Sequence, residues 1–151
     1  MGEPRWLDTE EMRAWRGYLG LVRLLDDRLN RDLQEQSGLT SADYEILVRL
    51  SEAPERRLRM TELAQGAMIS KSRLSHQMTR MESRGLACRE GCPTDRRGAF
   101  AVLTARGFDA LVSAAPGHVA SVRRHLFDPL SREQVEALGE LSDAVIAGLS
   151  Q

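Results

Sequence analysis

The sequence predicts a mainly α-helical protein with a small β-hairpin wing, a winged helix-turn-helix between long terminal helices. Three observations predict this class. Apolar residues recur every three or four positions at both ends of the chain, as they do on one face of a helix. In the middle, two short amphipathic segments flank a tight turn at 66–69. Two strand-like runs, 87–90 and 99–103, follow and predict the hairpin.

The first helix is predicted to begin with Thr9 as its N-cap, because Glu10 and Glu11 follow where the helix dipole favours acids. Its apolar stripe comprises Met12, Trp15, Leu19, Val22, Leu25, Leu29 and Leu33. Ser37 and Gly38 predict its end. A helix of this length extends roughly 40 Å, which is too long for one small domain to cover.

A second helix is predicted to start at a cap formed by Thr40 or Ser41 and to stop before Pro54. A loop with a short extended exit leads to the first helix of the helix-turn-helix, which opens at Thr61. Ser70 is expected to cap the helix after the turn.

The helix that Ser70 caps has its buried face fixed by Leu74, Met78 and Met81, at positions i, i+4 and i+7. Its opposite face carries short polar and basic side chains. They are Ser70, Lys71, Ser72, Arg73, Ser75, His76 and Thr79. Because such side chains hydrogen-bond to base edges and do not repel phosphates, we predict that this helix lies in a DNA major groove. Lys71 and Arg73 are expected to contact guanine edges or phosphates.

A long helical stretch is predicted to begin at 104–107, after the hairpin. Pro116-Gly117 is expected to kink or break it, and Pro129 to end it. The last helix then begins at a capping motif that runs from Ser131 to Gln134.

Composition bounds the class of protein. The chain has 151 residues, 42% of them hydrophobic, which suits one domain or a small domain with an oligomerisation extension. No apolar run approaches the roughly 18 residues that span a membrane, and the acidic N-terminus is unlike a secretory signal. We therefore expect a cytoplasmic protein.

Charge is distributed unevenly along the chain. Residues 55–106 contain eleven basic and five acidic residues, a net charge of +6, whereas ten basic and seventeen acidic residues elsewhere give −7. A basic middle between acidic ends suits a local surface that faces phosphates, which the overall net charge of −1 conceals.

Four short motifs occur in order along the chain. They are Ser70-Lys71-Ser72, Arg84-Gly85-Leu86, Asp95-x-Arg97 and Leu103-Thr104-x-x-Gly107. With these motifs the chain resembles the MarR (multiple antibiotic resistance regulator) family over nearly its whole length. The resemblance implies a homodimer with interlocked outer helices, a palindromic operator, and often a small-molecule or oxidative signal that releases DNA.

The wing residues are Asp95, Arg96 and Arg97, in the loop of the hairpin. The resemblance implies that Asp95 braces a nearby arginine and that Arg96 or Arg97 enters the minor groove, since narrow A·T-rich minor grooves attract arginines. The alternative is a solvated turn.

The terminal helices also indicate a homodimer. Two apolar stripes far apart in sequence need a shared partner surface, which a two-fold dimer supplies. We expect residues 1–38 and 108–151 to form the dimerisation region, and 39–107 the DNA-binding domain. Two recognition helices one helical turn apart predict an operator of roughly 16 to 20 base pairs.

Two kinds of regulation stay open. Family members often bind aromatic acids or phenols near the dimer helices, so Met12, Trp15 and Tyr18 are candidates for a pocket, or else for ordinary packing. Cys88 and Cys92 flank the wing loop, and Arg89 could lower a thiolate pKa there. A redox switch therefore stands against passive packing of two reduced cysteines.

The sequence contains no motif of a hydrolase, nucleotide-binding enzyme or zinc protease, and His118 and His125 lack further ligands in register. We expect no enzyme, no cofactor and no metal. The predicted function is a homodimeric, sequence-specific DNA-binding transcriptional regulator that acts as a repressor and is released by a small-molecule ligand, for which a small aromatic effector is the candidate. The alternatives are the redox-responsive regulator and a winged-helix protein-interaction module without DNA binding.

Overall fold

The computed structural model, which describes residue 2 and residues 4–150, confirms the predicted fold class in its helices and in one antiparallel sheet. The α-helices are α1 (Thr9–Ser37), α2 (Ser41–Glu52), α3 (Met60–Gly66), α4 (Lys71–Ser83), α5 (Ala105–Val122) and α6 (Arg132–Leu149). The strands are β1 (Arg57–Arg59), β2 (Ala87–Cys92) and β3 (Asp95–Leu103). A short 3-10 turn, Pro54–Arg56, precedes β1, and a π-helical turn, Arg123–Phe127, follows α5. None of the helices in the described ranges is both long and apolar enough to cross a membrane.

The helix caps predicted for α2, α4 and α6 agree with the structure, whereas the starts of α1 and α3 differ from the prediction by one residue. Helix α3 begins at Met60 and not at Thr61. Thr40 caps α2 and Ser131 caps α6, each in a reciprocal capping box. At α1, however, the Asp8 carboxylate accepts from the Glu11 N–H at 2.8 Å, and the Glu11 carboxylate accepts from the Asp8 N–H at 2.9 Å. The prediction of Thr9 as the cap was wrong by one residue, because aspartate satisfies the free N–H groups of the first turn one position earlier.

The chain divides into two compact units, Met1–Leu29 with Val119–Gln151, and Asn30–His118. The domain boundaries predicted above, at 38/39 and 107/108, stay a prediction.

The 30–118 unit is built around one apolar core, to which α2, α3, α4 and the sheet all contribute. Its buried residues are Leu33, Leu39, Ile46, Leu47, Leu50, Leu63, Ala64, Leu74, Met78, Met81, Leu86, Ala87, Ala101, Leu103, Leu111 and Ala114. Since α4 inserts three of these side chains into the core, its opposite face is left to solvent.

The sheet has the order β1-β3-β2, and all its strands are antiparallel. The short extended segment predicted before α3 pairs with β3 as an added edge strand, with Leu58 opposite Ala101. The hairpin is longer than predicted, since only Pro93 and Thr94 lie between β2 and β3. The ladder extends past a register shift at Gly91 and Cys92, so it continues where the strand pattern in the sequence stops.

The sequence predicts either a kink or a break at Pro116. The break does not occur in α5. The helix continues to Val122, and Gly117 lies against the Gln36 side chain, where a Cβ atom would come within 2.3 Å of Oε1. Buried Leu111 and Ala114 anchor α5 in the core. Their packing offsets the loss of the one backbone hydrogen bond that proline removes.

The other unit leaves much apolar surface uncovered. Helix α6 contains no buried residue, and even its apolar side chains are exposed, Val145 to 61% and Leu149 to 82%. On α1, Trp15 and Tyr18 are half-exposed and their rings stack with centroids 6.2 Å apart. Both helices therefore present apolar side chains that this unit does not bury.

Candidate nucleic-acid interface

Helix α4 begins as the sequence predicts. The Ser70 hydroxyl accepts from the Arg73 N–H at 3.1 Å, and Ser70 has extended backbone angles, as an N-cap should. Leu74, Met78 and Met81 are fully buried. The predicted cap and the predicted buried face of this helix are thereby confirmed.

The opposite face of α4 is open to solvent from Ser70 to Thr79. All seven side chains that the sequence assigned to DNA contact, from Ser70 to Thr79, are exposed. Within the described part of the chain, neither Lys71 nor Arg73 forms an ion pair. Two cations at the front of α4 are thus available to an external anion.

Arg89, on β2, contacts this same face and was missed by the sequence reasoning. Its guanidinium pairs with the Glu82 carboxylate at 2.8 Å and donates to the hydroxyls of Ser75, at 3.2 Å, and Thr79, at 3.0 Å. The Arg89 hydrogen bond lowers the pKa of Glu82, and Glu82 in turn raises the pKa of Arg89. Arg89 therefore fastens α4 to the strand that leads into the wing.

The hydrogen bonds from Arg89 reduce the hydrogen-bonding groups that Thr79 and Ser75 have left for base contacts. Thr79 Oγ1 accepts from Arg89 and also donates to the Ser75 carbonyl at 3.0 Å, so its donor is used and one acceptor lone pair remains. The Ser75 hydroxyl accepts from Arg89 and can still donate. The groups open to a ligand are concentrated in the first two turns, at Lys71, Ser72, Arg73 and His76.

A buried carboxylate holds α4 against α2. Asp43 accepts from the Thr40 N–H at 3.0 Å, from Arg84 at 3.0 Å and from the side-chain amide of buried Gln77. Arg84 also donates to the Gly38 carbonyl at 3.0 Å. This network fixes the orientation of the helix that presents the polar face.

In the wing, the three predicted residues lie at the start of β3 and not in a loop. Asp95 Oδ1 accepts from the backbone N–H of Arg97 at 3.0 Å. Asp95 therefore braces Arg97 through the main chain and not through the guanidinium. Arg96 and Arg97 are exposed, and no ion pair involves either of them among the described residues. The ladder pairs Cys92 with Asp95 and then Gly91 with Ala99, so both arginines lie in the bulge between these two pairs.

The two cysteines differ in acidity. Burial raises the pKa of Cys88, and the charges of Glu90 and Glu82 raise it further. The sequence predicted that Arg89 would lower this pKa, but the Arg89 guanidinium is bound to Glu82. The Thr94 hydroxyl, 3.3 Å from the Cys92 sulfur, lowers the pKa of Cys92. Both thiols are free, and the redox hypothesis now concerns Cys92 first.

The residues proposed for a ligand pocket are arranged on one side of α1. Met12 lines an open groove of about 580 Å³ near the start of the helix, together with Leu7 and Arg16, while Trp15 and Tyr18 stack on each other. That these three residues bind a ligand stays a prediction.

His118 and His125 are placed differently from each other. The His118 ring lies 4.4 Å from the Tyr44 ring, burial lowers its pKa, and its Nδ1 has no hydrogen-bond partner within the described ranges. His125 lines a small groove with Leu21, Leu24 and Arg28. Among the described residues, no cluster of three or more His, Cys, Asp or Glu side chains is arranged to hold a metal ion.

Comparison with known proteins gives consistent similarities. Residues 37–98 match the sequence model of the MarR family. The chain is 31% identical over 122 residues to the transcriptional regulator HosA of Escherichia coli O127:H6, covering 80% of this chain and 87% of HosA.

Two solved structures from Streptomyces coelicolor are similar over almost the whole chain. AbsC, a MarR family transcriptional regulator, is 50% identical with a TM-score of 0.89, over 97% of this chain and 99% of AbsC. Sco3205, another MarR family transcriptional regulator, solved in complex with DNA, is 50% identical with a TM-score of 0.93, over 99% of this chain and 93% of Sco3205.

Proposed function

The chain belongs to the MarR family of transcriptional regulators, and from that premise we propose that it is a homodimeric, sequence-specific DNA-binding regulator. We propose further that it represses transcription from a short palindromic operator and that a small-molecule ligand releases it. Proteins of this family are regulators and not enzymes, so the proposal includes no catalysis. It places the protein in the cytoplasm, where the chromosome lies.

One observation carries the DNA-binding proposal. The exposed front of α4 and the exposed start of β3 each bear two cations, Lys71 and Arg73 on the helix and Arg96 and Arg97 on the strand. Since none of the four is ion-paired within the described residues, each is available to phosphates or to base edges. That the similar regulator Sco3205 was solved with DNA supports the same function here.

The exposed apolar faces of α1 and α6 support the homodimer. Leu141, Val145, Ile146 and Leu149 are all at least 59% exposed on α6. A surface of this kind on a soluble protein marks an interaction site, and a second copy of the chain would present the same surface in a two-fold arrangement. The two α4 helices would then address two half-sites of one operator.

Genomic footprinting of the protein tests the proposal, because it yields the operator and the regulated gene together. We expect an inverted repeat of roughly 16 to 20 base pairs within or beside a promoter, and higher transcription of that gene when the protein is deleted. Occupancy spread without sequence preference, or unchanged transcription after deletion, would contradict the proposal.

Ligand release requires that the ligand bind the DNA-free state more tightly than the DNA-bound state. We propose that a small aromatic acid or phenol does so beside Met12, Trp15 and Tyr18. Quenching of Trp15 fluorescence in a Trp6→Phe variant, together with loss of operator binding at the same ligand concentration, is the expected result. Release of the operator without any change at Trp15 would place the effector elsewhere.

A redox response is the second candidate, because Cys92 combines a lowered pKa with a position in the wing. Under this alternative, peroxide weakens operator binding by the wild type and leaves a Cys92→Ser variant unaffected. The remaining alternative, a protein-interaction module, predicts that the chain has no salt-dependent affinity for any DNA duplex.

A further inference from the structure

A cavity of about 360 Å³ opens between the first turn of α3, the start of α4 and the wing strand β3. Its wall carries three cationic side chains, Arg59, Lys71 and Arg97, and one acidic side chain, Asp95. Apolar atoms of Leu74 and other neighbours complete the lining. Arg59 belongs to neither the recognition helix nor the wing, and no role has yet been assigned to it.

The cations in this cavity are not neutralised by the protein. No ion pair to Arg59, Lys71 or Arg97 occurs in the part of the chain that the structure describes. The Asp95 carboxylate, whose Oδ1 accepts from the Arg97 N–H at 3.0 Å, offsets one of the three positive charges in the lining. The cavity therefore has an excess of positive charge next to an apolar wall, which strengthens its field. A bound anion would relieve the repulsion between the three cations.

We propose that this cavity binds one phosphate group of the DNA backbone and that Arg59 is one of its ligands. The inference rests on the proposed function. If α4 lies in the major groove and the wing in the neighbouring minor groove, a sugar-phosphate strand passes between them, where the cavity opens. Guanidinium groups suit this role because they bind phosphate oxygens with two parallel hydrogen bonds.

Arg57 supplies a matched control on the same strand. Its guanidinium carbon lies 4.2 Å from the centre of the Phe100 ring, and that of Arg59 lies 5.4 Å from the same ring. Arg57, however, pairs with Glu90 at 3.5 Å and does not line the cavity. The two arginines share a strand and an aromatic neighbour, and they differ in whether the charge is free to meet a phosphate.

The test is a salt titration of binding to a mixed-sequence DNA duplex, followed by fluorescence anisotropy. We expect Arg59→Ala to reduce the slope of log affinity against log salt by about one unit for each protomer on the DNA, one phosphate contact each. Arg57→Ala should keep the wild-type slope, and Arg59→Lys should restore it. Far-UV circular dichroism verifies that the variants are folded.

Equal slopes for Arg59→Ala and the wild type, or equal losses for Arg59→Ala and Arg57→Ala, would overturn this inference while leaving the proposed function intact. A wild type that binds no duplex at any salt concentration would overturn the proposed function and this inference together.

A second measurement separates backbone phosphate from a free anion. Inorganic phosphate is added to the DNA-free protein at constant ionic strength, and the amide signals of Gly98 and Ala99 in the cavity wall are followed by NMR. Saturable shifts combined with an unchanged DNA slope in Arg59→Ala would assign the cavity to a free anion and contradict our proposal. The slope loss without saturable shifts supports it.

Discussion

Arg89 carries its charge on the candidate DNA surface, yet its guanidinium is bound within the protein, to Glu82 at 2.8 Å and to Thr79 at 3.0 Å. Lys71 and Arg73 lie on the same surface without such partners. Charge count alone would treat all three as equal DNA contacts. The structure separates Arg89, which positions α4, from the residues that can reach a ligand.

The Glu82–Arg89 pair makes a prediction about stability and pH. Glu82→Gln should lower the free energy of unfolding at neutral pH by about 1 kcal/mol, the upper range for a partly exposed ion pair. Because folding lowers the pKa of Glu82 below its ordinary value of 4.5, the pair stabilises the protein above that value, and its contribution is lost as pH falls through the folded-state pKa.

Urea denaturation at a series of pH values measures this effect. The curves of wild type and Glu82→Gln should converge in acid. A difference that stays constant from neutral pH to pH about 3, below the ordinary pKa of glutamate, would show that the charge of Glu82 does not stabilise the fold.

The two thiols should differ in reactivity. At neutral pH, iodoacetamide should alkylate Cys92 several-fold faster than Cys88, because the pKa of Cys92 is lowered and that of Cys88 is raised, so Cys92 has the larger thiolate fraction. Mass spectrometry of the single variants Cys88→Ser and Cys92→Ser gives the two rates separately. A faster reaction at Cys88 would contradict the assigned acidities.

Among the elements, α4 is the one that the sequence predicted best. Its cap, Ser70, and its buried residues, Leu74, Met78 and Met81, are local signals that depend on spacing within one helix. The contacts that orient α4 are long-range, since Gln77 and Arg84 lie 34 and 41 residues from their partner Asp43. Sequence spacing cannot identify such partners in a chain that contains twenty arginines.

One local signal for Asp43 was nevertheless present. It precedes Ile46, Leu47 and Leu50 at three-, four- and seven-residue spacing, so an acid occupies the apolar stripe of α2. A buried acid must have hydrogen-bonding partners. The boundaries of the hairpin lacked any such signal, because residues 91–98 are mostly polar and the ladder there depends on two pairs alone, Gly91 with Ala99 and Cys92 with Asp95.

The Asp43 network predicts a large loss of stability at the element scale. Asp43→Ala should cost about 2 kcal/mol, since it leaves the buried Gln77 amide without its acceptor and removes the ion pair with exposed Arg84. Glu45→Ala, on the same helix, removes only the exposed pair with Arg49 and should cost about 0.5 kcal/mol.

Thermal and urea denaturation of the two alanine variants of α2 measure the difference. Equal losses for Asp43→Ala and Glu45→Ala would mean that the buried network does not hold α4 in place.

At the scale of the whole molecule, charge is segregated. Residues 55–106 carry +6 and the rest of the chain carries −7. The acidic remainder repels DNA, so binding should be restricted to the α4 and wing surface and should weaken steeply with salt. The sequence alone predicted this segregation, because it depends on composition and not on contacts.

The homodimer makes a prediction at the same scale. Val145→Glu should convert the protein to a monomer and weaken operator binding at least ten-fold, because it places a charge in the exposed apolar face of α6. Ala147→Glu adds the same charge on the opposite, polar face of α6, beside Glu140 and Asp143, and should leave the dimer intact.

Sedimentation equilibrium gives the molecular mass of both α6 variants. Because Val145 is exposed in the single chain, the substitution should not disturb its fold. Equal masses for Val145→Glu, Ala147→Glu and the wild type would exclude this face of α6 from the dimer interface.

The most direct test of the central claim is a hydroxyl-radical footprint of the protein on the operator that genomic footprinting identifies. We predict two protected half-sites related by an inverted repeat, with centres about 10 base pairs apart on one face of the duplex, and additional protection in the minor groove beside each. A single protected half-site, or no protection at concentrations where the protein is dimeric, would contradict the account of a dimer with paired recognition helices.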